Sequence, residues 1–311
     1  MDPVARAVLA TVAYFDLFQV PLTALEVWRN LFWSAGAPPG LGDVEAAIAR
    51  LVAEGKLTSQ EGYVSLPGGA PASLRLMREA DALRKWRRLR FGARLLSAVP
   101  FLQGIAAVNT LPIGASRRES DIDVLLVARA GRLYTMRFIA VVAATLFGLY
   151  RSGEHVADQL CLSFSVSERA LDVMPLAKSG GDPYLQFWVA NVHVVAERDG
   201  VFDAFWRTNA PLLVQLPNAR LRRLPKLVRA PRLLSALRDA SERLLVGSFG
   251  DRVEAWAKRF QMRRFAANTQ SRARRGGTDV VIADDILKFH ERDRREEIRT
   301  RWAERRGTLG V

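Results

Sequence analysis

Two aspartates, Asp121 and Asp123, stand one residue apart within the stretch NTLPIGASRRESDIDVLLVARAGR, residues 109–132. They come where a polar turn gives way to an apolar run. Because side chains alternate across a strand, a strand that begins with acid, apolar, acid puts both carboxylates on one face. Paired carboxylates can bind a hard cation, and Mg²⁺ is commonly held by one or two carboxylates together with substrate phosphates. The spacing therefore predicts a metal site at the mouth of a buried strand.

A structural role is the alternative for this acidic pair, since Asp-x-Asp triplets are common. Ser120 and Asp121 could cap a turn, and Asp123 could face solvent from an edge strand. The neighbouring sequence favours a metal-binding or catalytic role for the pair. The next four residues, Val124 to Val127, are all apolar, which indicates a strand buried on both faces. A second apolar strand, GIAAVNT, lies just upstream.

The composition is that of a basic globular protein. Among 311 residues, 49% are hydrophobic, and 46 basic against 32 acidic residues give a net charge of +14. Such a charge favours polyanionic partners such as nucleic acid, nucleotides or an anionic membrane. The single cysteine, Cys161, excludes an internal disulfide and a cysteine-based zinc cluster, and three histidines argue against a histidine metal site.

The apolar segments predict neither a signal peptide nor a membrane span. The first residues, MDPVARAVLATVAYFDLF, carry an acid at once and have no cationic start. The most apolar run, FIAVVAATLFGLY at 138–150, has thirteen residues, whereas a spanning helix needs about 20. We therefore expect 138–150 to form a buried helix in a cytoplasmic protein without membrane contact.

The N-terminal 68 residues have the pattern of a winged helix. A helix over 4–18 and a second that begins at Thr23, with Glu26 at capping-box spacing, precede a third helix that Gly55 ends. Two short strands around Glu61–Gly62 complete the set. The third helix has few basic residues, which favours protein docking over direct reading of DNA.

The rest of the chain divides into three parts. A Gly/Pro-rich stretch at 66–73 leads into a basic helix. Strand, turn, strand, helix and strand follow, ending with a strand at 158–166, and Asp182 and Pro183 then open a helix over YLQFWVANVHVV, residues 184–195. From about 219 the sequence predicts basic helices, with 272–306 a polar loop that runs into a charged helix. The predicted units are 1–68, winged-helix-like; 69–100, a basic connecting helix; 101–218, an α/β core; and 219–311, a basic helical region.

The core resembles the nucleotidyltransferase fold of the DNA polymerase β superfamily. Members carry a Gly-Ser pair after the first strand, then a short helix and an Asp-x-Asp strand often preceded by Ser, and GASRRESDIDVLLV is similar to the second half of this pattern. The stretches CLSFSVSERALDV, GDPYLQFWVANVHVV and DDILKFHERDRR resemble a bacterial group of such proteins, so the resemblance covers most of the chain. It implies an α/β (α+β) fold with a mixed sheet, an N-terminal winged helix and a helical C-terminal region.

The resemblance also implies roles for individual residues. Asp121 and Asp123 match the two metal-binding carboxylates, and Ser120 matches the frequent serine, here a turn and cap residue. A third carboxylate usually comes from the next strand, where it helps to deprotonate or orient the attacking hydroxyl. The best match is Asp158, whose alternative is a solvent-facing acid at a strand end. Weaker candidates are Glu168 and Asp172.

The sequence departs from the family at the Gly-Ser pair, where Asn109 and Thr110 stand. Threonine keeps the hydroxyl that would bond a phosphate oxygen. Asparagine lacks the freedom that lets a glycine backbone approach a phosphate, although it tolerates positive φ better than most residues. The nucleotide-binding candidates are Asn109, Thr110, Gly114, Ser116, Arg117, Arg118 and Ser120.

The implied function is Mg²⁺-dependent transfer of a nucleoside monophosphate from an NTP to an unidentified acceptor hydroxyl, with two metal ions. The alternative is a catalytically degenerate nucleotidyltransferase fold that acts as a DNA-binding or protein-docking regulator. The helix over 75–94 is a candidate surface for nucleic acid phosphates, or equally a solvated face. Lys288 and His290 could reach the site, although capping is the commoner role for such a pair.

Overall fold

The computed structural model describes residues 1–151, 156–267, 277–290 and 293–311. Within these ranges the chain is a mixed α/β protein with ten α-helices, one three-stranded sheet and one seven-stranded mixed sheet. The large sheet carries the acidic pair, and the N-terminal segment packs beside it.

The N-terminal helices and hairpin lie where the sequence predicts them. The side chain of Thr23 accepts from the backbone N–H of Glu26, whose carboxylate accepts from the Thr23 N–H, so the capping box is confirmed. Glu61 and Gly62 both have positive φ, at 52° and 80°, and form the hairpin turn. Antiparallel pairing gives the strand order β1-β3-β2. The elements are α1 (Pro3–Asp16), β1 (Leu22–Thr23), α2 (Ala24–Arg29), α3 (Leu41–Ala53), β2 (Thr58–Gln60) and β3 (Tyr63–Ser65).

The predicted strand–turn–strand–helix–strand unit follows the basic helix α4 (Ala72–Leu96). Strand β4 pairs antiparallel with β5, and β5 pairs parallel with β6. All the residues from Val124 to Val127 are buried, as expected for a central strand. The elements are β4 (Leu102–Ala107), β5 (Ile122–Ala128), α5 (Leu133–Leu146) and β6 (Leu160–Ser167).

The prediction of a buried helix at 138–150 is only half right. Helix α5 ends at Leu146, and its outer side is exposed, with Val142 at 41% and Leu146 at 79%. The helix packs on the sheet and against α4 and α9, and the remainder of its surface is exposed. No helix in the described ranges is long and apolar enough to cross a membrane.

The helix predicted to run through 184–195 is too long. Asp182 caps α6 (Pro183–Ala190) by accepting from the backbone N–H of Leu185, as expected, but the helix stops there. Residues His193–Glu197 form β7, which pairs antiparallel with β4. The run after Asn191 is rich in valine, and β-branched residues favour strands over helices. Helix α7 (Val201–Thr208) and β8 (Arg222–Arg223) follow.

The polar loop predicted before the last helix contains a β-hairpin. Its first residues, 272–276, lie outside the described ranges. Strands β9 (Val280–Ile282) and β10 (Ile286–Phe289) pair antiparallel, and β10 adds to the free edge of β6. The hairpin is missed from sequence because each strand is very short and its stabilising partner lies far away in the chain. The sheet order is β8-β7-β4-β5-β6-β10-β9. The C-terminal helices are α8 (Arg232–Leu244), α9 (Ser248–Ala267) and α10 (Arg295–Leu309).

Aromatic side chains join the N-terminal segment to the rest of the protein. Tyr14 of α1 stacks on Phe187 of α6 with ring centroids 3.8 Å apart, and its ring meets that of Trp302 in α10 edge to face at 5.6 Å. The indole Nε1 of Trp302 donates to the carbonyl of Ala10 at 2.8 Å. These residues belong to one hydrophobic core shared by both regions.

We expect Tyr14→Ala to lower the free energy of unfolding by about 3–5 kcal/mol, because a large buried aromatic side chain leaves a cavity at the junction of three helices. The measurement is a urea titration followed by circular dichroism. The matched control is Phe91→Ala on α4, where the ring is 48% exposed and the loss should stay below about 1 kcal/mol. Equal losses for the two variants would show that the junction contributes little.

Candidate active site

The two aspartates of the sequence motif meet a cysteine at the start of the parallel strand pair. The carboxylate oxygens of Asp121 and Asp123 and the sulfur of Cys161 lie within 4.8 Å of one another. Asp123 and Cys161 are register partners on β5 and β6. The same-face spacing of the two acids and the parallel register together produce this cluster.

A cavity of about 790 Å³ opens in front of the cluster. Asp123 and Cys161 form part of one wall, and the end of α1, helix α6 and the start of α10 supply much of the remainder. The predicted residues that line it are Asn109, Thr110, Arg117, Ser120 and Asp123. Lys288 and His290, singled out from the sequence, line the same cavity.

Asn109 adopts the left-handed conformation that a glycine would allow. Its φ is 58°, and asparagine tolerates this region better than most residues. The Tyr184 hydroxyl donates to Asn109 Oδ1 at 3.2 Å, and the Asn109 side chain lies near enough to the Asp123 carboxylate to oppose the rise in its pKa. The turn is closed by the backbone N–H of Ala115, which donates to the carbonyl of Thr110 at 2.9 Å. The backbone therefore has the expected form, while the side chain occupies space beside the acid.

Gly114 and Ser116, two of the predicted phosphate ligands, do not line this cavity. Gly114, with a φ of 70°, packs against the Arg75 guanidinium so closely that a Cβ would lie 2.6 Å from Arg75 Cζ. Ser116 is fully buried, and its hydroxyl has no hydrogen-bond partner in the described part of the chain. Ser120 does behave as a turn residue, since its Oγ donates to the carbonyl of Arg117 at 2.9 Å. Arg118 is exposed.

The structure brings none of the three suggested third carboxylates to Asp121 and Asp123. The carboxylate of Asp158 pairs with Arg84 Nε at 2.7 Å and with Lys85 Nζ at 2.8 Å. These cations hold the pKa of Asp158 below its usual range against the opposing effect of burial. Glu168 and Asp172 accept from backbone N–H groups of nearby loops. Among the described residues, Cys161 is the third member of the cluster instead.

Positive charge already balances part of the acidic pair. Arg151 Nη1 lies 2.7 Å from Asp121 Oδ2 and 3.6 Å from Cys161 Sγ. Burial, and then the charge of Asp121, raise the pKa of Asp123 to about 6. Burial, together with the charge of Asp123, raises the pKa of the Cys161 thiol to about 12. At neutral pH the cluster therefore holds carboxylate oxygens and a protonated thiol.

Strand β10, next to β6 in the same sheet, adds a cation to the cavity lining. Lys288 is 5% exposed, and its ammonium donates to the backbone carbonyls of Thr278 and Asp279. Burial lowers the pKa of Lys288 to about 8. Burial, with the charge of Lys288 adding to it, lowers the pKa of His290 to about 4, so the imidazole is neutral at physiological pH. Arg295 pairs with Asp293 at 2.6 Å and with Asp182 at 2.9 Å, which fixes the start of α10 at the cavity.

Sequence reasoning missed several residues of this site, namely Arg151, Cys161, Tyr184, Asp293 and Arg295. Parallel pairing of β5 and β6 could have identified Cys161, because it is the second residue of β6 as Asp123 is the second residue of β5. The remaining residues reach the cavity through packing between segments far apart in the chain, which no local sequence pattern predicts.

Some basic side chains of helix α4 are buried in ion pairs, and others are exposed. Arg75 is buried and pairs with Glu26 at 2.7 Å and Glu79 at 3.0 Å. Arg87 and Arg90 are exposed, and neither has an ion pair within the described ranges. They line a second groove of about 1080 Å³ on the other side of the 109–114 turn, with Arg29, Trp86 and Arg222.

The exposed side of α3 offers little to a DNA groove. Arg50 pairs with Asp2 at 2.6 Å, and Lys56 with Glu54 at 2.6 Å. The two basic residues that the sequence assigns to this region are thus already in ion pairs.

The raised pKa of Asp123 predicts a pH-dependent stability. The protonated form favours the folded state, so this contribution is present below about pH 4 and is lost as the pH rises through about 6. We expect Asp123→Asn, in metal-free buffer, to be more stable than wild type by about 1–2 kcal/mol at pH 7.5, a value discounted for partial exposure. At pH 4 the difference should vanish. Urea titrations at the two pH values measure it.

The control for this experiment is Ser163→Ala, which alters the neighbouring cavity wall and removes no carboxylate. Its effect on the free energy of unfolding should be alike at both pH values. A constant effect of Asp123→Asn across the same range would contradict the raised pKa.

Comparisons of the chain with family models, with curated proteins and with solved structures find no match. The functional interpretation therefore depends on the geometry and chemistry of the site.

Proposed function

We propose that this protein binds a nucleoside triphosphate with a divalent cation at Asp121 and Asp123 and transfers its nucleoside monophosphate to an acceptor hydroxyl. The observation that carries the proposal is a pair of neighbouring carboxylates, of which Asp123 lines a cavity that Arg117 and Lys288 also line. An anionic ligand can bridge a cation held by the two carboxylates and these positive charges. The cavity, at about 790 Å³, is of the size that ligand sites commonly have.

The order of elements supports the same assignment. The sheet is mixed, as the nucleotidyltransferase resemblance implies, with β4 antiparallel and β6 parallel to β5 and the acids at the start of β5. The α1-β1-α2-α3-β2-β3 order with a β1-β3-β2 sheet supports a winged helix at the N-terminus. We include both folds in the proposal.

The donor set fits a hard divalent cation such as Mg²⁺. Asp121 and Asp123 supply carboxylate oxygens, the ligands that Mg²⁺ and Mn²⁺ prefer. Cys161 adds a thiol whose raised pKa keeps it protonated at neutral pH, so it contributes little as a ligand to such an ion. When bound, the cation would supply Lewis-acid stabilisation of charge on the transferred phosphate.

The chain's own groups account for binding and proton transfer in this proposal. Arg117 and the Thr110 hydroxyl line the cavity and would contact phosphate oxygens. Arg151 would exchange its ion pair with Asp121 for one with the ligand. Asp123, the member of the pair that lines the cavity, would hold the cation and is the carboxylate of the pair placed to accept the proton of the attacking hydroxyl.

A second candidate function is nucleotide binding without turnover. Two observations favour it. Arg151 forms an ion pair with Asp121, one of the two proposed cation ligands. Cys161 lies where a third carboxylate would be needed beside Asp121 and Asp123. A protein of this kind would act as a nucleotide-responsive regulator, with the groove at Arg87 and Arg90 as its contact to a polyanion. Both functions require nucleotide binding, so only a measurement of turnover distinguishes them.

We expect Mg²⁺ with at least one of the four NTPs to raise the melting temperature, because a ligand that binds only the folded state stabilises it by mass action. Asp121→Asn combined with Asp123→Asn should abolish the shift by removing both cation ligands. The matched control, Asp172→Asn combined with Asp199→Asn, removes two exposed carboxylates elsewhere and should keep it. Asn109→Gly should enlarge the shift, since the backbone is already left-handed and the side chain would no longer crowd the phosphates. No shift in wild type or Asn109→Gly would contradict nucleotide binding.

A substitution at Cys161 tests turnover directly. Cys161→Asp places a third carboxylate opposite Asp123, and we expect it to raise pyrophosphate release at least about tenfold, within the range that a positioned general base contributes. Cys161→Ser is the control, because it changes the side chain without adding charge. Nucleotide binding without pyrophosphate release by wild type or Cys161→Asp, across candidate acceptors, would instead favour the regulator.

A further inference from the structure

Large exposed hydrophobic side chains concentrate in α8, α9 and the turn between them. Leu233, Leu237 and Leu244 of α8 are 73%, 56% and 71% exposed. The other members of the group are Val246, Phe249, Trp256, Phe260 and Met262. Scattered exposed leucines are ordinary, but a concentration of this kind marks an interaction surface.

Helix α8 is anchored through its polar side. The buried carboxylate of Glu242 accepts from the backbone N–H of Phe101 at 2.8 Å and pairs with Arg198 at 2.7 Å. Arg238 Nη1 donates to the carbonyl of Ser97 at 3.0 Å. At about 100° per residue, the three leucines fall within about 40° of one another and roughly opposite Glu242. The helix thus turns its leucine stripe to solvent, the reverse of an ordinary surface helix.

Helix α9 repeats this arrangement with aromatic residues. Phe249, Trp256 and Phe260 also fall within about 40° on the helix, and all three are exposed. Phe138 of α5 contacts both Trp256 and Phe260, with ring centroids 5.2 and 5.6 Å away. The aromatic stripe is therefore continuous with the exposed side of α5, where Leu146 lies.

Arginines flank both stripes. They are Arg232 and Arg243 on α8, and Arg252, Arg259 and Arg263 on α9, all of them exposed. Within the described ranges, none of the five forms an ion pair. We call the leucine and aromatic stripes with these five arginines the arginine-flanked face.

We propose that the arginine-flanked face binds the surface of an anionic lipid bilayer. Helices that lie in a membrane interface bury leucine and aromatic side chains at the acyl boundary, while arginines reach the lipid phosphates. Nucleic acid would use the arginines and leave the leucines in water. A second copy of the chain would bury the leucines but bring ten unpaired arginines together. An anionic membrane satisfies both groups, so this proposal replaces the sequence-based expectation of no membrane contact.

The experiment is flotation of the full-length protein with vesicles of phosphatidylcholine alone or mixed equally with phosphatidylglycerol, without nucleotide. We expect binding to the anionic vesicles that weakens with salt, because arginine–phosphate contacts are screened. Leu233→Gln with Leu237→Gln should weaken it about 100-fold, at about tenfold per leucine. Arg252→Gln with Arg259→Gln should weaken binding and reduce its salt dependence.

Matched controls come from Leu83 on α4, which is 61% exposed, and from Arg6 and Arg169, which are exposed and have no ion pair within the described ranges. Leu83→Gln and the Arg6→Gln, Arg169→Gln pair should leave vesicle binding unchanged. Circular dichroism verifies that each variant is folded. Absence of binding to anionic vesicles, or equal losses from these controls, overturns the proposal. So does a concentration-dependent dimer, seen by sedimentation, that Leu233→Gln with Leu237→Gln dissolves.

This test is independent of the nucleotide site. Asp121→Asn with Asp123→Asn should float with anionic vesicles as wild type does, because neither residue lies on α8 or α9. The membrane proposal and the nucleotide proposal can therefore fail separately.

Discussion

The buried ammonium of Lys85 fixes the starts of the two strands that carry the acidic cluster. Its side chain is 0% exposed, and Nζ lies 2.8 Å from the carboxylate of Asp158 and 2.5 Å from the carbonyl of Ser120. The backbone N–H of Asp158 donates to the same carbonyl at 3.1 Å. A buried charge costs several kcal/mol unless it is paired and hydrogen-bonded. The Lys85 ammonium is therefore stable only when the residues that precede β5 and β6, Ser120 and Asp158, are both in place. The resemblance implies that Asp158 is a catalytic carboxylate. In the structure it instead helps to hold the strands that carry the acidic cluster.

The lining of the cavity carries charges of both signs. Asp123 lines it with Asp121 beside it, Asp293 adds a carboxylate that is paired with Arg295, and the ammonium of Lys288 and the guanidinium of Arg117 also belong to the lining. The ligand proposed above, a polyphosphate with its own divalent cation, likewise carries charges of both signs and can be attracted to both kinds of group. The Arg151–Asp121 ion pair offsets part of the like-charge repulsion before any ligand arrives.

Local sequence signals account for much of the fold. The capping box at Thr23, the hairpin turn at Glu61–Gly62 and the N-cap at Asp182 each depend on residues three or fewer apart, and the structure has all of them. The acids of the site were found for the same reason. What the sequence could not provide depends on distant partners. Strand β10 is stabilised by pairing with β6, and the role of Asp158 depends on Lys85, which lies on another element.

The cavity is built from both ends of the chain. Phe18 follows helix α1, and Ile298 lies within helix α10, yet both line the space in front of Asp123. Proteins are synthesised from the N-terminus, and their parts generally fold in that order. While the chain is still emerging from the ribosome, strands β4 to β6 can present the acidic cluster before Lys288, His290 and α10 exist. A chain that has not yet been extended to Ile298 therefore lacks the part of the cavity lining that α10 supplies.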